Sequence, residues 1–261
     1  MSLGTVISLC DYTGIMVEPW VKAGFDAVLV DPLHADGEQV RQGITTVGAK
    51  LEDCLDYISQ LIKSRDIVAV FAFPVCTDLA VSGTSRWASK AAADRNFQAK
   101  AMQLVHECRM VGELSGAPWM LENPVSAISS IWRKPNHTFH PNEYGGYLPH
   151  DDQHPLFPDY FPPRDAYGKK TCLWTGGGFV MPERKPVGIE ADQRSGQGQS
   201  KAHNKLGGKS TKTKMIRSAT PRGFAEAVFQ ANRPTLDCGC GYRFPAELGI
   251  YGCPNCEGEA A

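Results

Sequence analysis

The chain of 261 residues lacks any apolar run of about 18 residues, which is the length that a membrane-spanning helix needs. Residues 1–5 carry no basic charge ahead of the first apolar stretch, which argues against a signal peptide. The G-x-G-x-x-G fingerprint of dinucleotide-binding proteins is also missing, and no internal repeat is present. We therefore expect a cytoplasmic protein with no membrane partner.

Net charge is small as well, at −1, yet it conceals a strong asymmetry. Between Arg184 and Arg222 there are ten lysines and arginines against two acidic residues, so the rest of the chain is acidic. A basic tract in an acidic chain indicates a polyanionic partner, with a disordered solvated loop as the alternative. The apolar fraction of 42% is enough for one large domain, alone or with a small appendage.

The nine cysteines are unevenly distributed. Scattered thiols without a secretion signal indicate a reducing compartment, and five cysteines fit that description: Cys10, Cys54, Cys76, Cys108 and Cys172. The other four form two close pairs, Cys238-x-Cys240 and Cys253-x-x-Cys256. Two such pairs around a short aromatic segment match a four-thiolate zinc site with no open position, so the Zn²⁺ would be structural. Disulfides are the alternative.

Apolar runs alternate with helical patterns along the chain. Strands are predicted at 5–9, 27–30, 44–47, 67–73, 119–121 and 171–174, and helices at 14–23, 51–63, 90–114 and 220–232. This alternation predicts an α/β fold with a Rossmann-like, doubly wound, mostly parallel sheet. Residues 126–167 are rich in proline, histidine and aromatics, and we expect an irregular region there. Residues 193–213 have few apolar side chains, which predicts a mobile loop.

A cysteine follows the fourth predicted strand directly. Pro74 ends that apolar run, and Cys76 lies in a loop of small and polar residues. The carboxyl end of a parallel strand is where open α/β sheets bind their ligands. Cys76 is therefore a candidate nucleophile, with a buried or incidental thiol as the alternative.

Three other predicted strands end in polar residues. The loop Cys10–Gly14 precedes a helix, whose N-terminus favours polar ligand groups, and Asp31 is suited to accept hydrogen bonds from ribose hydroxyls. Together they suggest a cofactor that contains a nucleoside. The alternative is an ordinary strand–turn–helix unit that binds no ligand, because it would show the same sequence pattern. Glu122 could bind an amidine-like ring edge, or it could be a capping or loop glutamate.

The motifs occur in a recognisable order: SLCDYTG, VLVDPLH, FPVCTDLAVSG, LENPV, RKPNHTFHP, KKTCLW and ATPRGFAEAVF. This succession resembles the DNA cytosine-5 methyltransferases, most closely the compact type of bacteriophages and prophages, over about residues 4–232. The resemblance implies the S-adenosylmethionine-dependent methyltransferase fold, DNA as the partner, and flipping of the target base out of the duplex. It also implies the cytoplasm of a bacterial host.

The resemblance assigns roles to particular residues. It implies that Cys76 is the nucleophile and that Glu122 and Asn123 hold the target base. The S-adenosylmethionine contacts that it implies are Asp11, Tyr12, Thr13, Gly14, Asp31, Pro32 and Pro74. The DNA contacts that it implies are Ser82, Arg86, Arg133, Lys134, Lys169, Lys170 and Thr171.

Three departures from the family pattern stand out. Val75 replaces the second proline of the usual Pro-Pro-Cys loop. Lys50 stands where an acid for the adenine amine is expected, with Glu52 or Asp53 as substitutes. The large target-recognition domain is missing, and only the basic loop stands in its place.

The motifs divide the chain into four parts. We predict a catalytic domain over 1–183, a basic mobile loop over 184–217 as a reduced recognition region, a closing helix over 218–234 and a zinc ribbon over 235–261.

Two alternatives compete with DNA methylation, and the sequence indicates no oligomeric state. One is C5 modification of a free pyrimidine nucleotide, or transfer of a group other than methyl. The other is a DNA-binding protein without catalysis.

Overall fold

An eight-stranded mixed sheet forms the centre of the protein. The computed structural model describes residues 2–190, 210–238, 240–241, 243–251, 253 and 255–256. The strands are β1 (Thr5–Leu9), β2 (Asp26–Val30), β3 (Gly37–Arg41), β4 (Ile44–Gly48), β5 (Ile67–Ala72), β6 (Trp119–Pro124), β7 (His137–Phe139) and β8 (Thr171–Gly176). Their order is β3-β4-β2-β1-β5-β6-β8-β7. The five central strands pair in parallel, and each of the three outer strands joins its inner neighbour by an antiparallel pairing, so the predicted α/β class is confirmed.

The central strands form because their side chains are apolar on both faces. Every residue of β1 and β5 is buried, as expected for parallel strands that are covered by helices on both sides. Strand β3 was not predicted, because its sequence GEQVR has one apolar residue and all five side chains are exposed. It joins β4 through a turn at Gln42 and Gly43, whose φ angles of 51° and 78° suit a tight hairpin.

Seven helices accompany the sheet in the described part of the chain. They are α1 (Glu18–Lys22), α2 (Leu55–Ser64), α3 (Trp87–Ala93), α4 (Phe97–Ser115), α5 (Ile128–Ile131), α6 (Thr211–Ser218) and α7 (Arg222–Asn232). Among these residues no helix combines the length and apolarity that crossing a membrane requires.

Three helices differ from their predicted bounds by more than two residues. The helix predicted over 51–63 begins as a 3₁₀ turn at Leu51–Asp53 and is α-helical from Leu55 to Ser64. The helix predicted over 90–114 is divided into α3 and α4, because the Asp94 carboxylate accepts a hydrogen bond from the Asn96 backbone at 2.9 Å and so competes with the helical hydrogen bonds. The helix predicted over 14–23 begins only at Glu18, with Pro19 in its first turn, where a missing N–H costs nothing.

Helices cover the sheet on both faces, which gives three layers. Side chains of α2 and α4 pack on one face, against Ile7, Leu9 and their neighbours. Side chains of α1 and α7, including Trp20 and Phe224, pack on the other face. Alternate residues of β1 therefore enter opposite cores, as the pleat of a strand requires.

A buried polar network attaches α7 to the irregular region that precedes β8. The Asp165 carboxylate accepts a hydrogen bond from the Gly223 backbone at 2.8 Å, and Arg222 forms an ion pair with Asp152. Arg164 and Asp165 both have positive φ angles, 55° and 48°, a conformation that side chains rarely adopt. The network therefore holds a strained turn at the amino end of α7.

A second, two-stranded sheet lies near the C-terminus. Its antiparallel strands are β9 (Thr235–Asp237) and β10 (Arg243–Pro245). An ion pair between Arg233 and Glu247 links this hairpin to the end of α7. Of the predicted basic loop, residues 191–209 lie outside the described residues. Residues 211–217 were predicted to be part of that mobile loop, but they are helical in α6, which Ser210 caps with a hydrogen bond from the Thr213 backbone. The predicted domain boundaries stay predictions.

Asp165 makes the stability of the fold depend on pH. Burial raises the pKa of its carboxyl to about 6, above the ordinary value near 3.8. Its contribution to stability is therefore complete below about pH 4 and is lost as the pH rises through about 6. Asp165→Asn keeps an acceptor for Gly223 but does not titrate. Relative to this variant, the wild type should lose up to about 2–3 kcal/mol of unfolding free energy between about pH 4 and pH 7.

Chemical denaturation at several pH values measures this difference. Asp151→Asn, on the exposed side of the same region, is the matched control and should follow the wild type. If the two stability profiles of wild type and Asp165→Asn run parallel across this range, Asp165 does not titrate as described.

Candidate functional site

Three parallel strands, β1, β2 and β5, end in one row of the sheet, and β6 passes through the same row. Leu9 pairs with Val30 on one side and with Ala72 on the other, and Ala72 pairs with Leu121. The residues that follow Leu9, Val30 and Ala72 therefore leave the sheet along one edge, whereas β6 continues to Pro124 and keeps Glu122 paired with Leu173 of β8. After β1 the chain adds β2 and β4 on one side of the sheet, and after β5 it adds β6 on the other side. The carboxyl ends of β1 and β5 therefore border the crevice where doubly wound sheets bind ligands.

The loop after β5 holds Cys76 in a hydrogen-bonded turn. The Cys76 carbonyl accepts hydrogen bonds from the backbone of Leu79 at 3.0 Å and of Ala80 at 2.8 Å. On the sheet side, the Asn123 side-chain amide donates to the Pro74 carbonyl at 2.9 Å. Val75 is 60% exposed and packs against little. Hydrogen bonds therefore order this loop at the position where a second proline was expected.

Cys76 and Glu122 lie within electrostatic range of each other. Burial, and next the carboxylate of Glu122, raise the pKa of the Cys76 thiol, whereas the ammonium of Lys169 and the guanidinium of Arg217 lower it. Burial also raises the pKa of Glu122, and Lys169 opposes that effect. One lysine thus acts on both groups, and the structure brings the predicted nucleophile and the predicted base-holding acid together.

Two polar atoms of β6, at the place where its Asn123 binds the Cys76 loop, are buried without a partner among the described residues. They are Oε1 of Glu122 and Oδ1 of Asn123. A buried polar atom that makes no hydrogen bond costs roughly 1–3 kcal/mol. This cost is removed when a ligand offers hydrogen bonds at this place.

A small pocket adjoins Glu122. Its walls are Glu122, Lys169, the segment 218–221 that connects α6 to α7, and three aromatic rings: Phe73, Phe139 and Phe224. Its volume is about 10 Å³, which is no more than one water molecule needs. The connector therefore closes the space beside Glu122 in this conformation.

Asp11 organises the loop after β1 from inside. Its carboxylate accepts hydrogen bonds from the Ser8 hydroxyl at 2.8 Å, the Gly14 backbone at 2.9 Å and the Thr13 hydroxyl at 3.2 Å. Because Asp11 is only 4% exposed and its carboxylate accepts these three hydrogen bonds, it stabilises the conformation of the loop. Gly14 has a φ of 67°, and a side chain there would meet Leu29 at 2.9 Å. The close packing explains why glycine stands at this turn.

Asp31 lies on the next loop of the same edge. Its carboxylate accepts a hydrogen bond from the Leu33 backbone at 2.8 Å, and burial raises its pKa. His34 connects the two loops, since its Nε2 lies 3.1 Å from the Asp11 carbonyl and its ring lies 5.2 Å from that of Tyr12. Pro32 is exposed beside them. These loops together could hold a nucleoside.

Lys50 occupies the position where an acid that binds the adenine amine was expected. Lys50 is exposed and forms an ion pair with Glu52 at 3.2 Å. Glu52 and Asp53 are both exposed in the short turn that follows. Either could serve as the substitute, and which one does stays a prediction.

The predicted DNA contacts fall into separate places. Ser82 and Arg86 are exposed on the turn that follows the Cys76 loop. Lys169 lines the pocket, and Lys170 beside it is exposed. Thr171 is buried, and its hydroxyl donates to the Lys169 carbonyl at 3.1 Å. Thr171 therefore supports the lysine rather than facing the solvent.

Arg133 is not brought to this edge. Its guanidinium donates to the Asn136 side chain at 2.6 Å and to the Thr175 carbonyl at 3.3 Å, and it lies over the ring of Trp132. Thr175 pairs with the amino half of β6, away from Glu122. Lys134 is exposed next to it. A DNA-binding role for this pair stays a prediction.

The four C-terminal cysteines converge on one point. Sγ of Cys238 lies 3.7 Å from that of Cys256, and Sγ of Cys240 lies 3.8 Å from that of Cys253. All four sulfurs lie within 4.8 Å of one another, and all four cysteines are free thiols. Four thiolates at about 2.3 Å from a zinc ion form a tetrahedron with edges of about 3.8 Å. The cluster can therefore hold a metal ion.

Sequence reasoning missed three features of the site. These are His34, Lys90, which binds the loop behind Cys76, and the connector at 218–221. The three-residue spacing between Asp31 and His34 was the one available signal. Lys90 and the 218–221 connector gave no such signal, because each contacts a segment that is distant in sequence.

No protein-family model matches the chain, and no curated protein matches it. Membership of the DNA cytosine-5 methyltransferases therefore stays a prediction that rests on the motifs and their order. The geometry of the carboxyl edge is the observation from which a function can be proposed.

Lys169 should control the reactivity of Cys76. Its positive charge lowers the pKa of the thiol, so Lys169→Met should raise that pKa and slow alkylation by iodoacetamide near pH 8 about threefold to tenfold. Lys170→Met removes the neighbouring, exposed charge and is the matched control. Peptide mapping by mass spectrometry gives the rate at Cys76 alone. Equal rates in the two variants would contradict the assignment.

The C-terminal cluster should bind one Zn²⁺ per chain. Cys253→Ser removes a ligand, so elemental analysis should show that the purified variant loses its zinc. Cys76→Ser removes a thiol outside the cluster and should keep the full zinc content. Retention of zinc by Cys253→Ser would rule out this ligand set.

Proposed function

We propose that the protein is a DNA (cytosine-5-)-methyltransferase that uses S-adenosylmethionine. The observation that carries the proposal is that Cys76 and Glu122 lie within electrostatic range of each other, with Lys169 acting on both, at the carboxyl edge of the sheet. A thiol, a buried carboxyl and a lysine are the groups that activation of a pyrimidine ring needs. The motif order supports the same reaction.

The cofactor would lie on the loops after β1 and β2. Tyr12, Thr13 and Gly14 on the first loop and Asp31 on the second would hold it, with Pro32 and Pro74 at its borders. S-adenosylmethionine supplies an electrophilic methyl group when it is bound. The raised pKa of Asp31 fits a carboxylate that gains hydrogen bonds from ribose hydroxyls, because such donors would stabilise its charge.

Cys76 would begin the reaction at the target base. Its thiolate attacks C6 of cytosine and forms a C–S bond, which makes C5 nucleophilic. S-adenosylmethionine, held by the loops after β1 and β2, would supply the methyl group to C5 and leave as the thioether. A base would then remove the proton from C5, and the C–S bond to Cys76 would break. Lys169 favours this sequence because its charge lowers the pKa of the thiol.

Glu122 would hold the ring during the attack. Its raised pKa favours the carboxylic acid, which can donate a hydrogen bond to N3 of cytosine while its other oxygen accepts one from the N4 amine. The buried Oε1 that lacks a partner among the described residues fits this role. Asn123 keeps the Cys76 loop against β6 through its bond to Pro74.

A base would have to leave the duplex to reach this place. Flipping costs a few kcal/mol, and phosphate contacts from Lys169, Lys170 and the basic tract would offset part of it. The pocket beside Glu122 holds about 10 Å³, so the 218–221 connector must move to admit a ring. The proposed Zn²⁺ would hold the C-terminal hairpin together, with no catalytic part.

Incubation with S-adenosylmethionine labelled on the methyl group tests the proposal. Label should enter unmethylated duplex DNA and be found in 5-methylcytosine after digestion, and Cys76→Ser should abolish it. Glu122→Gln should lower the rate about a hundredfold, as expected for loss of a positioned acid. Asp151→Asn, away from the site, should keep the wild-type rate.

Two results would overturn the proposal. Label that enters dCMP and never DNA would identify a free nucleotide as the substrate. An unchanged rate in Cys76→Ser would remove the nucleophile and with it the mechanism.

A further inference from the structure

One lysine holds the Cys76 loop from its solvent side. Lys90, on α3, donates from Nζ to the Thr77 carbonyl at 2.9 Å and pairs with the Asp78 carboxylate at 2.5 Å. Thr77 and Asp78 are the two residues that directly follow Cys76. A single ammonium group therefore binds the backbone and a side chain of the segment that leaves the thiol.

The sheet side of the loop has its own anchor. The Asn123 amide holds the Pro74 carbonyl, two residues before Cys76, at 2.9 Å. Cys76 thus lies between an anchor on β6 and an anchor on α3. Val75 contributes little to the order of the loop, because it is 60% exposed. Lys90 then supplies restraint that a second proline would otherwise provide.

The Lys90 contact differs from an ordinary surface ion pair. Exposed pairs contribute little, because both side chains lose freedom and water screens the charges. Here Lys90 is 27% exposed and Asp78 39% exposed, and the carbonyl bond fixes the ammonium in a second direction. Gln98, on α4, adds a bond to the Asp78 carbonyl at 3.4 Å. The loop is therefore held from two helices.

Helix α3 itself has little hold on the core. None of its residues is buried. The turn before it carries Ser82 and Arg86, which are both exposed. Lys90 is consequently a direct connection between this surface segment and the loop that bears the thiol.

We propose that Lys90 is a positioning residue for Cys76, acting through the carbonyl of Thr77 and the carboxylate of Asp78. Its importance for methyl transfer rests on the proposed function, but its effect on the thiol does not. The charged groups that act on Cys76 are Glu122, Lys169 and Arg217, so Lys90 works through the shape of the loop.

Alkylation of Cys76 by iodoacetamide across a range of pH tests the placement without any DNA. Lys90→Met should loosen the loop and admit water to the thiol, whose pKa is raised mainly by burial. The pH midpoint of alkylation should therefore fall, and the rate near pH 8 should rise about tenfold, as loss of one charged hydrogen bond allows. Lys90→Arg keeps the charge and donors and should restore much of the wild-type profile.

Lys100→Met is the matched control. Lys100 pairs with Asp94 at the junction of α3 and α4, close in sequence but away from the Cys76 loop, and its loss should leave the profile unchanged. Asp78→Ala breaks the same contact from the other partner and should reproduce the effect of Lys90→Met. This second variant keeps the test decisive if Lys90→Met fails to fold.

Coincident pH profiles for the wild type and either Lys90→Met or Asp78→Ala would overturn the proposal. The same holds if Lys100→Met changes the profile as much. In the methylation assay Lys90→Met should lower kcat about tenfold and leave KM for DNA nearly unchanged, because it disturbs the nucleophile and not the binding surface. A wild-type protein without methyltransferase activity would refute the proposed function, whereas the alkylation result would still decide the role of Lys90.

Discussion

The pairing register of four parallel strands is the constraint on which the site depends. Leu9, Val30, Ala72 and Leu121 lie in one row, so the loops after β1, β2 and β5 emerge together next to Glu122, the residue of β6 that follows Leu121. A slip of one residue in β5 would turn every side chain of that strand to the opposite face. Two buried faces prevent such a slip, since each strand inserts apolar residues into both cores. The apolar packing of the sheet thus sets which polar groups meet at its edge.

Burial then decides how those groups behave. It raises the pKa of both Cys76 and Glu122, and each would be less ionised than in water. For Glu122 this suits a donor to a ring nitrogen, but for Cys76 it opposes formation of the nucleophile. Lys169 lowers the pKa of both groups. Its position therefore balances two needs, a protonated acid at Glu122 and an ionised thiol at Cys76. In the proposed reaction, a DNA phosphate near Lys169 would shift that balance.

Local sequence patterns predicted the parts of the fold that depend on local chemistry. β1 was predicted over 5–9 and β5 over 67–73, because parallel strands buried on both faces are continuous apolar runs. Strand β3 was not predicted, because an edge strand with exposed side chains needs no apolar pattern. Cys76 and Glu122 were predicted from their strand ends, whereas Lys90 was not, because its contact with Thr77 depends on where α3 breaks at Asp94. Tertiary contacts between separate segments leave no periodic signal.

The central claim is that Cys76 forms a bond to C6 of cytosine in DNA. Duplex DNA in which 5-fluorocytosine replaces cytosine tests it directly, because fluorine at C5 prevents the final proton removal and traps the covalent intermediate. With S-adenosylmethionine present, denaturing electrophoresis should show a protein–DNA adduct, and peptide mass spectrometry should place the bond on Sγ of Cys76. An adduct on another cysteine, or no adduct when DNA and cofactor are both bound, would contradict the account.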